Sequence, residues 1–175
     1  MHRPDFRIDW VGTVLDSLES AFARIAEKGR EQPWFDGLFQ MEQAEAIFGV
    51  SFVTAQVYIL GTWREVNRSR QSAGKRELEK IRLYSDAAHC DGTNTSTILL
   101  VHQIANYYKH HDEWGDPWPN NHTTTALADV GIDANTEFPC CRAAAMLFGE
   151  DHAWQFGRFR EMLAEWRQRV LSTHV

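Results

Sequence analysis

Apolar residues recur at spacings of three and four positions along most of the chain, as Trp10 and Val14 do near its start, and this pattern predicts amphipathic helices. No long stretch alternates with a period of two, so no strand is predicted. Pro117 and Pro119 interrupt the pattern and predict an irregular loop rich in Trp and Pro. The predicted helices cover about 9–28, 33–68, 76–88, 95–111, 124–130, 139–149 and 151–172. We therefore expect an all-α fold, a single helical-bundle domain over residues 1–175 with four to five main helices.

Residues that favour helix ends suggest where these helices begin and stop. Asp9 is a candidate N-cap for the first helix, and Gly29 is its candidate terminator. The second helix is expected to begin within residues 33–36, where Pro33 opens a linker. Thr95 or Ser96 is expected to cap the fourth helix.

The segment from Ala46 to Trp63 contains no charged residue, so it is a candidate for a transmembrane helix. Ser51, Thr54 and Gln56 interrupt its apolar character, and a buried central helix of a soluble protein has the same composition. We therefore expect no membrane association. The N-terminal residues lack the apolar stretch of a secretory signal, which favours a cytoplasmic location.

Composition narrows the class of protein further. The 175 residues are 43% hydrophobic and carry a net charge of -6, which is globular and argues against binding nucleic acid over the whole surface. A local basic patch remains compatible with this charge. The chain has three cysteines, Cys90, Cys140 and Cys141, an odd number of which two are adjacent. We therefore expect reduced cysteines that pack in the protein, in a reducing compartment, rather than a disulfide framework.

The densest group of chemically useful side chains lies in residues 102–114. Residues four apart on a helix nearly share a face, so His102, Asn106 and His110 form one polar stripe. Lys109 and Glu113 flank this stripe. Two interpretations follow, since the stripe is either a functional site or a helix face turned to water.

The segment Asn106-Tyr-Tyr-Lys-His110, late in a predicted helical chain, resembles the signature of HEPN domains. That signature is an Arg, a variable stretch that usually begins with a polar residue such as Asn, and a His. The residue before Asn106 is Ala105, where the family has its Arg. The resemblance implies a small helical bundle that often dimerises and cleaves RNA without a metal or other cofactor. It also implies a role in a toxin or phage-defence system, with a homodimer, RNA and an antitoxin-like protein as partners.

Metal-independent RNA cleavage needs a base for the 2′-hydroxyl, an acid for the leaving oxygen and a cation for the phosphate. Histidine serves as acid or base near neutral pH, which makes His110 and His111 the candidates for proton transfer. Asn106 would position the phosphate, and Lys109 is the nearest cation. These four residues are the predicted catalytic set.

Ala105 cannot supply the missing cation, so a basic run between residues 64 and 82 is the second source. Arg64 and Arg68 in this run are the predicted contacts to a phosphate backbone, although most such runs are solvated helix faces. Trp114 is a candidate for stacking on a base, and its alternative is to cover the end of the helices.

Two further interpretations stay open. His102, His110 and Glu113 are candidate ligands for a metal-dependent enzyme, although the chain has no HExxH or CxxC motif. The chain is otherwise a non-catalytic helical interaction or dimerisation module, in which the same helix faces a partner.

Overall fold

A computed structural model describes residues 5–32 and 34–175, and the regular elements in these ranges are helices. The all-α prediction is confirmed, although seven α-helices take the place of four to five main ones. The only strand-like pairing in these ranges is an isolated bridge between His89 and Ser96. Pro33, the expected start of the linker, lies outside the described residues. The helices are α1 (Phe6–Glu31), α2 (Gly37–Ser72), α3 (Lys80–Tyr84), α4 (Thr97–His110), α5 (His122–Asp129), α6 (Pro139–Phe148) and α7 (Gly157–His174), with a 3₁₀ turn at His111–Glu113.

The long helix α2 carries the packing of the other helices, since α1, α4, α6 and α7 all contact it. Phe48, Phe52 and Ile59 of α2 are fully buried in the apolar core that results. By length and composition alone α2 is apolar enough to cross a membrane, with a mean hydropathy of 1.4 over its best window. In that window 56% of the residues are buried within the protein, as in a core helix.

The first helix is longer than predicted at both ends. It begins at Phe6, so Asp9 lies inside it and the predicted N-cap is wrong. Gly29, the predicted terminator, also lies inside α1, and a Cβ there would come within 2.0 Å of Gln40 Nε2. This glycine therefore permits close packing against α2 and does not end the helix. Trp10, expected to be a core residue, is 50% exposed.

The predicted helix over residues 76–88 is wrong for most of its length, because α3 covers only Lys80–Tyr84. Gly74, with a φ of +68°, ends the turn after α2, where a side chain would be strained. The backbone of Leu78 is then held by two side chains of α2. Asn67 both donates to and accepts from Leu78, at 3.0 and 2.8 Å, and Trp63 Nε1 donates to its carbonyl oxygen at 2.9 Å. These bonds keep the segment extended along α2.

Three predicted boundaries are confirmed. Ser96 caps α4, where its hydroxyl accepts a hydrogen bond from the backbone N–H of Leu99 at 3.2 Å. Pro139 stands in the first turn of α6, and Gly149 ends that helix with a φ of +81°.

The last helix begins later than predicted, at Gly157 and not near residue 151. The preceding loop turns its aromatic residues onto other helices. Trp154 stacks on Phe22 of α1 at 4.8 Å, and Phe156 stacks on Phe48 of α2 at 5.0 Å. Packing of these rings against α1 and α2 therefore accounts for the non-helical path.

Candidate functional site

A buried glutamine of α2 joins polar side chains of α4 into one group, the Gln56 cluster, formed by Gln56, His102, Asn106 and Lys109. Gln56 is 4% exposed. Its Nε2 donates to Asn106 Oδ1 at 2.8 Å and lies 3.0 Å from the carbonyl oxygen and 3.1 Å from Nδ1 of His102. Lys109 Nζ donates to Gln56 Oε1 at 2.8 Å. The two helices thus share a polar contact beside their apolar interface.

Asn106, predicted to position a phosphate, has both ends of its amide engaged within the protein. Its Oδ1 accepts from Gln56, and its Nδ2 donates to Gln103 Oε1 at 3.2 Å. Gln103 Oε1 also accepts from the hydroxyl of Thr123 on α5, at 2.7 Å. These bonds use one of its two N–H groups and one acceptor site of its oxygen, and they fix the orientation of the amide.

Burial sets the protonation of the histidine in this cluster. It lowers the pKa of His102 from 6.5 to about 4, and the positive charges of Lys80 and Lys109 act in the same direction. His102 is therefore neutral at pH 7. Its Nδ1 accepts a hydrogen bond from Gln56 Nε2 or from the hydroxyl of Tyr84, which is 3.4 Å away. Lys109 is exposed overall, and partial desolvation of its amine lowers its pKa.

The other two histidines of the predicted site lie outside the cluster, where α4 ends. The His110 side chain is 49% exposed, and its Nδ1 lies 3.5 Å from Glu113 Oε2. His111 Nδ1 donates to the carbonyl oxygen of Tyr108 at 3.0 Å, while its Nε2 lies 3.2 Å from Asp112 Oδ1. The structure therefore brings His102, Asn106 and Lys109 together around Gln56 and leaves His110 and His111 at the surface.

No three His, Cys, Asp or Glu side chains converge on one point anywhere in residues 5–32 and 34–175. Of the proposed metal ligands, His110 and Glu113 lie near each other. His102 is eight residues earlier on α4, which places it about 12 Å away along the helix axis. The described residues therefore do not form the predicted metal centre.

Trp114 lies in the Trp/Pro loop that follows α4. Its ring packs at 5.7 Å from Tyr107 and 5.5 Å from Trp118, and Trp118 lies 5.1 Å from Tyr107. The two indoles thus pack on Tyr107 at the end of α4, which is the covering role considered for Trp114 from the sequence.

The predicted phosphate contacts Arg64 and Arg68 line a separate surface cleft of about 570 Å³, the arginine cleft. The cleft lies between α2, the start of α1 and α7, and four arginines and two carboxylates of the described residues line it. The described residues of its lining are Asp5, Phe6, Arg7, Val57, Gly61, Arg64, Glu65, Arg68 and Arg167.

Ion pairs close the floor of the arginine cleft. Arg167, only 6% exposed, donates to Glu65 Oε1 at 2.8 Å and lies 3.5 Å from Asp5 Oδ2. Arg7 also bonds to Glu65, and the hydroxyl of Tyr58 donates to Asp5. Burial of Tyr58 and its bond to Asp5 raise the pKa of that hydroxyl, so Tyr58 stays protonated and donates a hydrogen bond to Asp5.

The rim of the arginine cleft is chemically different from its floor. Arg64 and Arg68 are exposed, and among the described residues neither has a carboxylate within 4.0 Å. They lie one helical turn apart, so both guanidinium groups belong to the same face of α2. Two positive charges are therefore available to a ligand at this rim.

The cleft and the exposed histidines lie at opposite ends of the α2–α4 contact. Gly49 of α2 meets Tyr108 of α4 so closely that a Cβ would come within 2.0 Å of the tyrosine ring. Arg64 is fifteen residues farther along α2, about 22 Å away along its axis. Arg64 and Arg68 therefore do not supply a cation to His110 of the same chain.

Glu45 of α2 contacts the backbone of two adjacent cysteines at the start of α6. Its carboxylate accepts hydrogen bonds from the backbone N–H groups of Cys140 and Cys141, at 2.8 and 2.9 Å. Burial first, and then the charge of Glu45, raises the pKa of both thiols. The two side chains are buried, in agreement with the expected packing role.

Sequence reasoning missed Gln56, Arg7 and Arg167. Gln56 had a usable signal, because a polar residue inside an uncharged helix needs a hydrogen-bonding partner when it is buried. Arg167 follows Leu163 by one turn and so lies on the apolar side of α7. Nothing in the sequence distinguishes Arg7 from other charged residues near the chain start.

The described residues define an all-α protein with one buried polar cluster and one cationic surface cleft. The chain matches no protein-family model, and no curated protein or solved structure matches it. Function is therefore argued from the geometry and chemistry of these two sites.

Proposed function

We propose that the protein binds RNA and that Arg64 and Arg68 hold the sugar–phosphate backbone at the arginine cleft. The observation that carries this proposal is the pair of exposed guanidinium groups, one turn apart, with no carboxylate within 4.0 Å among the described residues. Guanidinium groups bind phosphate oxygens through paired, charge-assisted hydrogen bonds.

The overall charge of -6 restricts this binding to a local surface. Among the described residues, four arginines against two carboxylates leave the cleft lining with a net charge of two positive. A small number of phosphate contacts gives a shallow salt dependence, because the slope for single strands is about -0.7 per phosphate contacted. We therefore expect modest affinity that falls gently as salt rises.

The test is the fluorescence anisotropy of a labelled single-stranded RNA titrated with protein at several salt concentrations. Arg64→Gln combined with Arg68→Gln should weaken binding about tenfold or more and flatten the salt slope. The matched control is Arg24→Gln combined with Arg142→Gln, which removes the same charge at exposed positions outside the cleft. Equal affinity of the two double variants would overturn the proposal.

A second proposed activity is metal-independent RNA cleavage by a helical bundle of the HEPN type. The observation that favours it is the position of Lys109, whose Nζ donates to Gln56 Oε1 at 2.8 Å while the same amide bonds to Asn106. Lys109 thus places a cation near Asn106, which Ala105 cannot supply. The packing of α1, α4, α6 and α7 on α2 supports the bundle. His110 is exposed at the end of this stripe as the acid or base.

In a homodimer, the cleft of one copy would present RNA to His110 of the other. A toxin or defence role with an antitoxin-like partner belongs to this second proposal.

Cleavage is tested with labelled RNA in EDTA, with His110→Ala as the variant and His152→Ala, at an exposed loop position, as its control. Cleavage that survives chelation and disappears only in His110→Ala supports the second proposal. Cleavage retained by His110→Ala, or absent from the folded wild type, would overturn it. The absence of cleavage would favour a non-catalytic interaction module.

A further inference from the structure

We infer that the arginine cleft binds a phosphate monoester, carried by the end of an RNA chain or by a free nucleotide, in preference to an internal phosphodiester. This inference rests on the proposed RNA binding and specifies the ligand of the same cleft. Three observations carry it: the charge of the cleft, its volume and the aromatic residue at its edge.

The charge balance of the cleft favours a dianion. Arg7 and Arg167 neutralise Asp5 and Glu65 on the floor, through contacts that include Arg167 to Glu65 at 2.8 Å and Arg7 to the same carboxylate. Arg64 and Arg68 then contribute two positive charges at the rim. A phosphate monoester carries about -1.5 to -2 charges at neutral pH, whereas a phosphodiester within a chain carries a single one. The monoester matches the two rim charges more completely.

The volume of the cleft suits one nucleotide rather than a length of chain. At about 570 Å³ it lies within the usual range of small-molecule sites. The side chain of Arg7 crosses directly over Gly61, where a Cβ would come within 2.8 Å of its Nη1. This glycine therefore lets Arg7 lie close to α2 and form one wall of the cleft.

An exposed aromatic residue supplies the contact for the rest of the ligand. Phe6 is 78% exposed at the edge of the cleft, and Val57 beside it is 51% exposed. A base stacks on an aromatic ring with little dependence on its identity. A cationic pair for the phosphate and an aromatic ring for the base, within one cleft, together fit a terminal nucleotide of any sequence.

The experiment compares one short RNA in three forms, with a 5′-phosphate, with a 3′-phosphate and with hydroxyls at both ends, and includes adenosine 5′-monophosphate as the free nucleotide. Affinities are measured by anisotropy for the RNAs and by calorimetry for the nucleotide. At least one phosphorylated RNA should bind about tenfold tighter than the hydroxyl form. The preference should disappear in the double variant Arg64→Gln and Arg68→Gln and persist in Arg24→Gln and Arg142→Gln.

A further variant tests the stacking contact. Phe6→Ala should weaken all the phosphorylated ligands about tenfold while it retains the preference for a terminal phosphate. Wild-type affinity of Phe6→Ala for the phosphorylated ligands would overturn the assignment of Phe6 to the base.

The outcomes separate this inference from the proposal on which it rests. If all three RNAs bind equally, RNA binding stands and the monoester assignment is wrong. If the nucleotide binds in the cleft and no RNA does, the monoester assignment stands with a free nucleotide as its source, and RNA binding is wrong. If neither RNA nor nucleotide binds the folded protein, both are wrong.

Discussion

The Gln56 cluster and the arginine cleft both lie on α2, about 12 Å apart along the axis from Gln56 to Arg64, yet they use their polar groups in opposite ways. In the cluster, the buried amide of Gln56 contacts three side chains of α4 and so engages their polar groups within the protein. In the cleft, ion pairs occupy the floor, and the two arginines at the rim remain available.

This difference shows that residue type is a weaker guide to function than the location of each polar partner. His102 and Asn106 are chemically suited to catalysis, but their strongest contacts hold α4 to α2. Arg64 and Arg68 look like ordinary surface residues in the sequence, and they line a cleft together with Arg7 and Arg167. Stability measurements should therefore respond to the cluster and to the floor of the cleft, but not to its rim.

The largest effect is expected at the floor of the cleft. Arg167→Ala removes a nearly buried guanidinium from Glu65 and Asp5, whose side chains are 17% and 16% exposed, so both carboxylates lose a charged partner. Breaking a buried ion pair from one side costs about 3–5 kcal/mol of the free energy of unfolding. Urea unfolding measures this cost.

Arg158→Ala on the same helix is the control for Arg167, because Arg158 is exposed. A surface substitution of this kind changes the free energy of unfolding by about 0.5 kcal/mol or less. If the two variants were equally stable, the ion pairs of the floor would not be structural.

The next effect is a pH dependence that originates in the Gln56 cluster. The pKa of His102 is lowered from 6.5 to about 4 by burial and by two lysines, so the unfolded chain binds its proton more readily than the folded one. The free energy of unfolding is therefore unaffected by the titration of His102 above pH 6.5. It falls by about 3 kcal/mol in total as the pH falls towards 4 and below.

His102→Gln isolates this contribution, since it removes the titrating group while every carboxylate remains in both proteins. The unfolding free energy of the wild type minus that of the variant should therefore decrease as the pH falls from 6.5 to 4, whichever protein is more stable at pH 6.5. A difference that stays constant over this range would contradict a buried, neutral His102.

A somewhat smaller loss is expected when the amide of the cluster is removed. Gln56→Leu leaves Asn106 Oδ1 and Lys109 Nζ without their partner inside the protein. Lys109 is exposed and can turn to water, so the cost comes mainly from Asn106 and His102 and amounts to about 2 kcal/mol. Gln71→Leu, at an exposed position near the end of α2, should be nearly neutral in the same urea experiment.

Much of the fold could be predicted because helical periodicity and end-capping residues are local signals. Ser96, Pro139 and Gly149 each mark a helix boundary correctly. The errors occur where distant contacts override the local signal. Gly29 lies inside α1, where Gln40 of α2 packs against it, and Leu78 is kept out of a helix by bonds to side chains of α2.

The candidate site could be predicted only in part, for a related reason. The polar stripe of α4 was visible as a pattern, but its partner Gln56 lies 46 residues from His102 in the chain, so local periodicity does not reveal the pairing. Arg64 and Arg68 were identified from charge. Their cleft depends on Arg7 and Arg167, which come together only when α1 and α7 pack on α2.

The smallest stability effect is expected at the rim of the cleft, and it makes the contrast between the two regions sharpest. Arg64 and Arg68 are exposed and lack a carboxylate within 4.0 Å in the described part of the chain, so replacing both with Gln breaks no ion pair described in the fold. We expect the double variant to unfold within about 0.5 kcal/mol of the wild type. A slight gain in stability is consistent with this, because two like charges one turn apart repel each other. A loss above about 1 kcal/mol in urea unfolding would instead make the rim arginines structural, like the floor beneath them.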